Sequence, residues 1–209
     1  MAILHLGANR ILGSSTASSS GKIAGTSGTG SVFAKWTRTA GSVNDGRDNL
    51  SYDLGSTLSD TLWIMRFKLY IDTISLGSTS GCQIGIGMSD ADADTAYETN
   101  QDSISFRIQF ASGGSQQKFV SNNSNGGEMG TNDSVILDWE SDSPVGKTFY
   151  VQIKRTSATA GTVSITENSD YTTSATTVNM TSLSASTTGL RYFVAKEYDG
   201  QTGSASNFV

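Results

Sequence analysis

A chain of 209 residues with 23 glycines, one proline and many serines and threonines suits strands joined by turns, and it excludes a helical protein, which would be richer in Leu, Ala, Glu and Lys. A formal net charge of -5, without a cluster of Lys and Arg, argues against nucleic acid and anionic membranes as partners. The single cysteine, Cys82, excludes an intramolecular disulfide and a zinc cluster, and no stretch reaches the roughly 20 apolar residues needed for membrane insertion.

Residues 1–30 open with MAILHLGANRIL, which has no basic region ahead of its short apolar patch and no adequate apolar core, so no signal peptide is recognised. The Gly/Ser-rich segments 14–21 and 25–31 follow. Residues 1–30 are therefore expected to be a flexible or subunit-contacting arm, and residues 31–209 a single β domain. The first convincing strand is 32–38, with Trp36 near its centre, followed by a turn at Asn44-Asp45-Gly46.

The clearest pattern lies at 61–72. Trp63, Met65, Phe67, Leu69 and Ile71 alternate with Arg66, Lys68, Tyr70 and Asp72, the period of a strand with one face buried and one wetted. Residues 82–88 put Ile84, Ile86 and Met88 on one face and Gly85 and Gly87 on the other, where glycines signal close packing. After an acidic loop at 90–100, Ile104, Phe106, Ile108 and Phe110 alternate with Arg107 and Gln109. Strands follow at 117–121 and 135–139, then Phe149, Val151 and Ile153 face inward opposite Tyr150, Gln152 and Lys154. A turn at Ala160-Gly161 leads to 163–166, a weak polar strand and loop fill 172–188, and 190–198 is the last strong strand, with a terminal one at 204–209. Roughly ten to thirteen strands at this spacing predict an all-β fold, a two-sheet antiparallel β-sandwich of the jelly-roll kind.

The order SYDLGSTLSDTLWIMRFKLYID, QIGIGMSD, DSISFRIQF, TFYVQIKRTS with GTVSITE, and GLRYFVAKEYDG resembles the concanavalin A-like lectin/glucanase sandwiches, particularly laminin-G-like members met in viral and environmental proteins. The resemblance spans about residues 32–209. It implies two curved sheets, a ligand groove on the concave one, and carbohydrate as the commonest ligand class. Calcium is often bound at loop edges in such relatives.

A retaining glycosidase needs two carboxyl groups about 5–5.5 Å apart. The nearest approach to the Glu-x-Asp-x-Glu strand of glucanases is Asp138-Trp139-Glu140-Ser141-Asp142, but Pro144 and Val145 stand where the last acid belongs. The only histidine, His5, lies in the arm, which leaves a Ser-His-Asp arrangement unsupported. Asp90, Asp92 and Asp94 are spaced like the first ligands of an EF-hand, yet Thr95 replaces its glycine and Gln101 its final glutamate. A looser calcium site on Asp90, Asp92 and Asp94, with Glu98 or Asp102, stays open.

Sugar recognition needs aromatic faces and polar anchors in a concave site. Arg66 and Tyr70 on one strand, Arg107 and Gln109 on another, and Trp139 beside a loop are the expected ligand-binding residues, forming one groove if the sheet faces adjoin. The residues favour a non-catalytic surface module of a virion or extracellular assembly, glycan-binding or decorating. The alternative is a purely structural virion or filament subunit that assembles, as a homo-oligomer, through loops and the arm; a glucanase-type hydrolase comes third.

Overall fold

The computed structural model describes residues 2–4, 21–25, 34–38, 49–71, 74–75, 81–92, 101–111, 118–126, 132–139, 143–198 and 207–208. Among them no helix forms. The strands are β1 (Ala2–Leu4), β2 (Gly21–Gly25), β3 (Ala34–Arg38), β4 (Asn49–Asp53), β5 (Trp63–Tyr70), β6 (Ile74–Ser75), β7 (Gly81–Ser89), β8 (Ser103–Ala111), β9 (Lys118–Ser124) and β10 (Asn132–Asp138). They continue with β11 (Thr148–Ser157), β12 (Ala160–Thr166), β13 (Thr176–Asn179), β14 (Tyr192–Tyr198) and β15 (Asn207–Phe208).

Sheet A is five-stranded in the order β1-β5-β11-β12-β13, and sheet B six-stranded in the order β10-β9-β8-β7-β14-β4. All their pairings are antiparallel except β1 with β5. The chain passes from sheet B to sheet A between β4 and β5, back by β7, over again between β10 and β11, and back between β13 and β14. The expected two-sheet sandwich is what forms. Of residues 1–30, expected to be an arm, β1 runs along β5 and β2 pairs with β3; the others lie outside the described residues.

Alternation decides which side chains enter the space between the sheets. From sheet A come Trp63, Met65, Phe149, Val151, Ile153, Val163 and Ile165, and from sheet B Ile84, Met88, Ile104, Phe106, Ile108, Phe119 and Phe193, all in one core. Aromatic edges lock the layers together. Phe67 meets Phe106 at 5.9 Å and Phe149 meets Phe119 at 5.2 Å, both T-shaped across the sheets. The wetted set of β5 also emerges as expected, with Arg66, Lys68 and Tyr70 exposed; Asp72 and the side chains of Trp36 and Cys82 lie outside the described residues.

Two glycines have a packing role. A Cβ on Gly87 would meet the Ile104 carbonyl and lie 2.7 Å from the Ser105 Cβ, so β7 and β8 could not keep their separation with any larger residue there. Gly161, expected in a turn, stands inside β12, where a Cβ would come 2.6 Å from the Met180 sulfur and 2.8 Å from the Lys154 carbonyl. The hairpin instead turns at Ala158-Thr159.

Candidate functional site

On the solvent side of sheet A, register sets Gln152 opposite Arg66, Tyr150 opposite Lys68, Thr148 opposite Tyr70 and Lys154 opposite Ile64. Arg66 is held in place there. Its Nε donates to Gln152 Oε1 at 2.8 Å, and its guanidinium carbon lies 5.0 Å from the centre of the Tyr171 ring. Tyr171 in turn meets Tyr150 edge-on at 5.4 Å. The terminal nitrogens of Arg66 have no protein partner among the described residues, and Tyr70, 52 % exposed, stands next but one along β5.

Tyr171 reaches the sheet from the loop between β12 and β13, and its backbone is left-handed, with φ 65°. A side-chain-bearing residue in that region costs on the order of 1–2 kcal/mol, so the loop must enforce it. Asp170 does so by accepting the Thr172 and Thr173 amides, each at 2.8 Å, and the Thr173 hydroxyl. Tyr171 N–H bonds the Asn168 carbonyl at 3.1 Å, and Thr166 Oγ1 donates to the Thr173 carbonyl at 2.6 Å. With three donors, led by the Thr173 hydroxyl, Asp170 titrates at about 2.

The other expected anchors do not join this surface. Arg107 lies on the far side of sheet B, with the whole core between it and Arg66, and it is only 3 % exposed rather than wetted. Its guanidinium forms an ion pair with Asp133, whose second oxygen accepts Asn122 Nδ2 at 2.9 Å. Burial pushes the Arg107 pKa down to about 10, far enough above neutrality to keep the pair ionic at pH 7. Gln109, half-buried, accepts from Arg107 at 3.4 Å. Ser105 and Asn122, register partners beside the pair, are fully buried, and the Ser105 hydroxyl and Asn122 Oδ1 have no hydrogen-bond partner among the described residues. The expected single groove over both sheets is therefore not formed: Arg66 and Tyr70 share one open face, Arg107 and Gln109 a closed one.

Trp139 departs furthest from expectation. Rather than standing exposed beside the acidic loop it is 3 % exposed and packs 6.0 Å from Phe119. The cause is a β-bulge in β10: Val135 pairs with Val120 but Leu137 with Phe119, which leaves Ile136 as an extra residue. Beyond it the alternation is inverted, so Asp138 points out and Trp139 in. Glu140 and Asp142 lie outside the described residues.

The carboxylates considered for calcium are used by the backbone. Asp90 Oδ1 accepts the Asp102 amide at 2.9 Å, the Asp90 amide bonds the Asp102 carbonyl at 3.1 Å, and burial raises the Asp90 pKa. Asp92 is exposed, Asp94 lies outside the described residues, and among the described residues no group of acids is placed to hold a metal ion.

Sequence reasoning missed two residues that shape the molecule. Tyr171 sat in a segment read as weak strand and loop, and only its tertiary contact with Arg66 gives it meaning. Arg155, fully buried at the end of the inward set of β11, donates to the carbonyls of Thr187 at 2.7 Å, Ala158 at 2.8 Å and Ser157 at 3.2 Å. Inward parity after Val151 and Ile153 was the available signal. Asp60 and Asp102, which accept the Gly189 and Thr188 amides at 3.3 and 2.8 Å, offset part of the burial cost of its charge.

No protein-family model matches the chain, and no curated protein matches it in sequence. Solved structures are similar to it in backbone arrangement. A legume lectin-like domain from Entamoeba histolytica is similar over 78 % of this chain and 75 % of its own, at 8 % identity and a TM-score of 0.46. Scytalido-glutamic peptidase, solved with a peptide-based transition-state analogue, is similar over 79 % of this chain and 68 % of its own, at 11 % identity and a TM-score of 0.38. At these identities no residue of either carries over to this chain.

Proposed function

We propose that the protein is a non-catalytic glycan-binding module whose ligand lies on the open face of sheet A, over Arg66, Tyr70, Gln152, Tyr150 and Tyr171. The observation that carries this is the fixed guanidinium: Gln152 and Tyr171 position Arg66 while leaving its terminal donors to a ligand. A sugar offers hydroxyls to such donors and C–H faces to tyrosine rings. Because loop and strand hold Arg66 and Tyr171 beforehand, little ordering remains to be lost on binding. The acids of the adjoining loop are engaged, Glu167 with Lys147 at 3.8 Å and Asp170 with its own backbone, which supports binding without catalysis. In the same reading the module sits on the exterior of a virion or cell, where glycans are met.

A glycan array probed with the full chain tests the proposal. Binding should appear for the wild type and fall about tenfold or more in Arg66→Ala, the loss of a charge-assisted contact. No glycan bound, together with ordered oligomers in light scattering, would replace this reading with that of an assembly subunit.

A further inference from the structure

We infer that the glycan is acidic, a polysaccharide bearing carboxylate or sulfate groups along a row formed by Lys154, Arg66 and Lys68; this rests on the glycan-binding reading above. Register makes the row. Arg66 and Lys68 project from the same face two residues apart, about 7 Å along the strand. Lys154, opposite Ile64, is one diagonal step from Arg66, about 7–8 Å away.

These three cations differ from others in the chain. Lys147, Arg107 and Arg191 are paired with Glu167, Asp133 and Asp53 respectively, whereas Lys154, Arg66 and Lys68 make no ion pair within the described residues. In a chain of net charge -5, a row of adjacent, unneutralised cations, Arg66 and Lys68 exposed and Lys154 half-buried, gives a local field opposite in sign to the whole. Acidic groups on a ligand supply the missing partners, and Arg66 presents its terminal nitrogens as a fork suited to a carboxylate or sulfate.

Polysaccharide is favoured over nucleic acid by what separates the charges. Between and beside the cations stand Gln152, Tyr150, Thr148, Thr162 and Tyr70, neutral groups that hydrogen-bond hydroxyls and pack on rings. A single row of cations on an acidic protein matches a polymer of sparse charge and many hydroxyls. A dense phosphate backbone would meet the remaining negative charge.

Isothermal titration of the full chain with a polyuronate and with neutral dextran, each at low and high salt, tests the inference. Polyuronate should bind and dextran bind at least tenfold more weakly, and raising salt from about 0.05 to about 0.5 M should weaken polyuronate binding about tenfold or more, because the charges lie at the exposed surface. Lys68→Ala and Lys154→Ala should each weaken it several-fold and Arg66→Ala about tenfold, with melting temperatures near that of the wild type. Arg191→Gln, which removes an equal charge on the other sheet, should change it less than about twofold. Equal, salt-insensitive binding of both polymers would overturn the acidic ligand and leave the glycan-binding reading standing. Binding of neither would overturn the acidic polysaccharide as ligand, and the glycan array then decides the broader reading. A loss in Arg191→Gln as large as in Lys68→Ala, or tighter binding of a single-stranded oligonucleotide through the same three residues, would overturn the acidic polysaccharide as ligand.

Discussion

Trp139 and Ser105 are both buried, but their replacement should read out differently. Trp139 fills space beside Phe119, so Trp139→Ala should cost about 3–5 kcal/mol in chemical denaturation. A cost under about 1 kcal/mol would place the indole in solvent after all. Ser105, by contrast, buries a hydroxyl that no described residue satisfies, and Ser105→Ala should be neutral or stabilising by up to about 1 kcal/mol. A clear loss would reveal a partner for that hydroxyl. Asp170 is the residue whose titration should be visible in stability. Its folded pKa of about 2 lies below the ordinary 3.8, so its contribution is fully present above about pH 4 and fades as pH falls toward 2. The stability difference between wild type and Asp170→Ala should therefore shrink between pH 4 and 2, measured by denaturant midpoints; a difference that stays constant over that window would contradict the capping role.

At the scale of elements, strand existence and parity were legible because both are written locally. The alternation of β5 correctly separated Trp63 and Met65 from Arg66, Lys68 and Tyr70, and β11 separated Val151 and Ile153 from Tyr150 and Gln152. Two things were not local. The bulge at Ile136 leaves no mark in composition, yet it inverts the facing of everything after it and turns inward the Trp139 that its acidic, loop-side neighbours marked as exposed. The neighbour of each strand is set by long-range pairing, so Arg66 and Arg107 could be given the same outward parity without any sign that they belong to opposite sheets. Removing the bulge tests the first point. Deletion of Ile136 should restore plain alternation with Leu137 still opposite Phe119 and Trp139 still inward, leaving the tryptophan emission close to that of the wild type. A red-shifted emission would mean that the pairing of β10 with β9 had slipped by one residue and turned the indole outward.

Over the whole molecule the two outer faces are unlike. That of sheet B carries Arg107, Asn122, Ser105 and Lys196 but closes them from solvent, and Asp133 ties Arg107 to Asn122. That of sheet A carries Arg66, Lys68 and Tyr70 in the open, with Tyr171 held over it by a strained loop. The proposed ligand face is the open one of the two. The row of cations there could not be found by scanning the sequence for basic runs, since Lys154 joins Arg66 and Lys68 only through the pairing of β11 with β5. The most direct test is an NMR titration of the full chain with the bound glycan, following backbone amide shifts. The account predicts the largest shifts at Arg66, Lys68, Gln152, Lys154 and the loop around Tyr171, and little change along β8 and β9; shifts centred on Arg107 and Asn122 with none on β5 would contradict it.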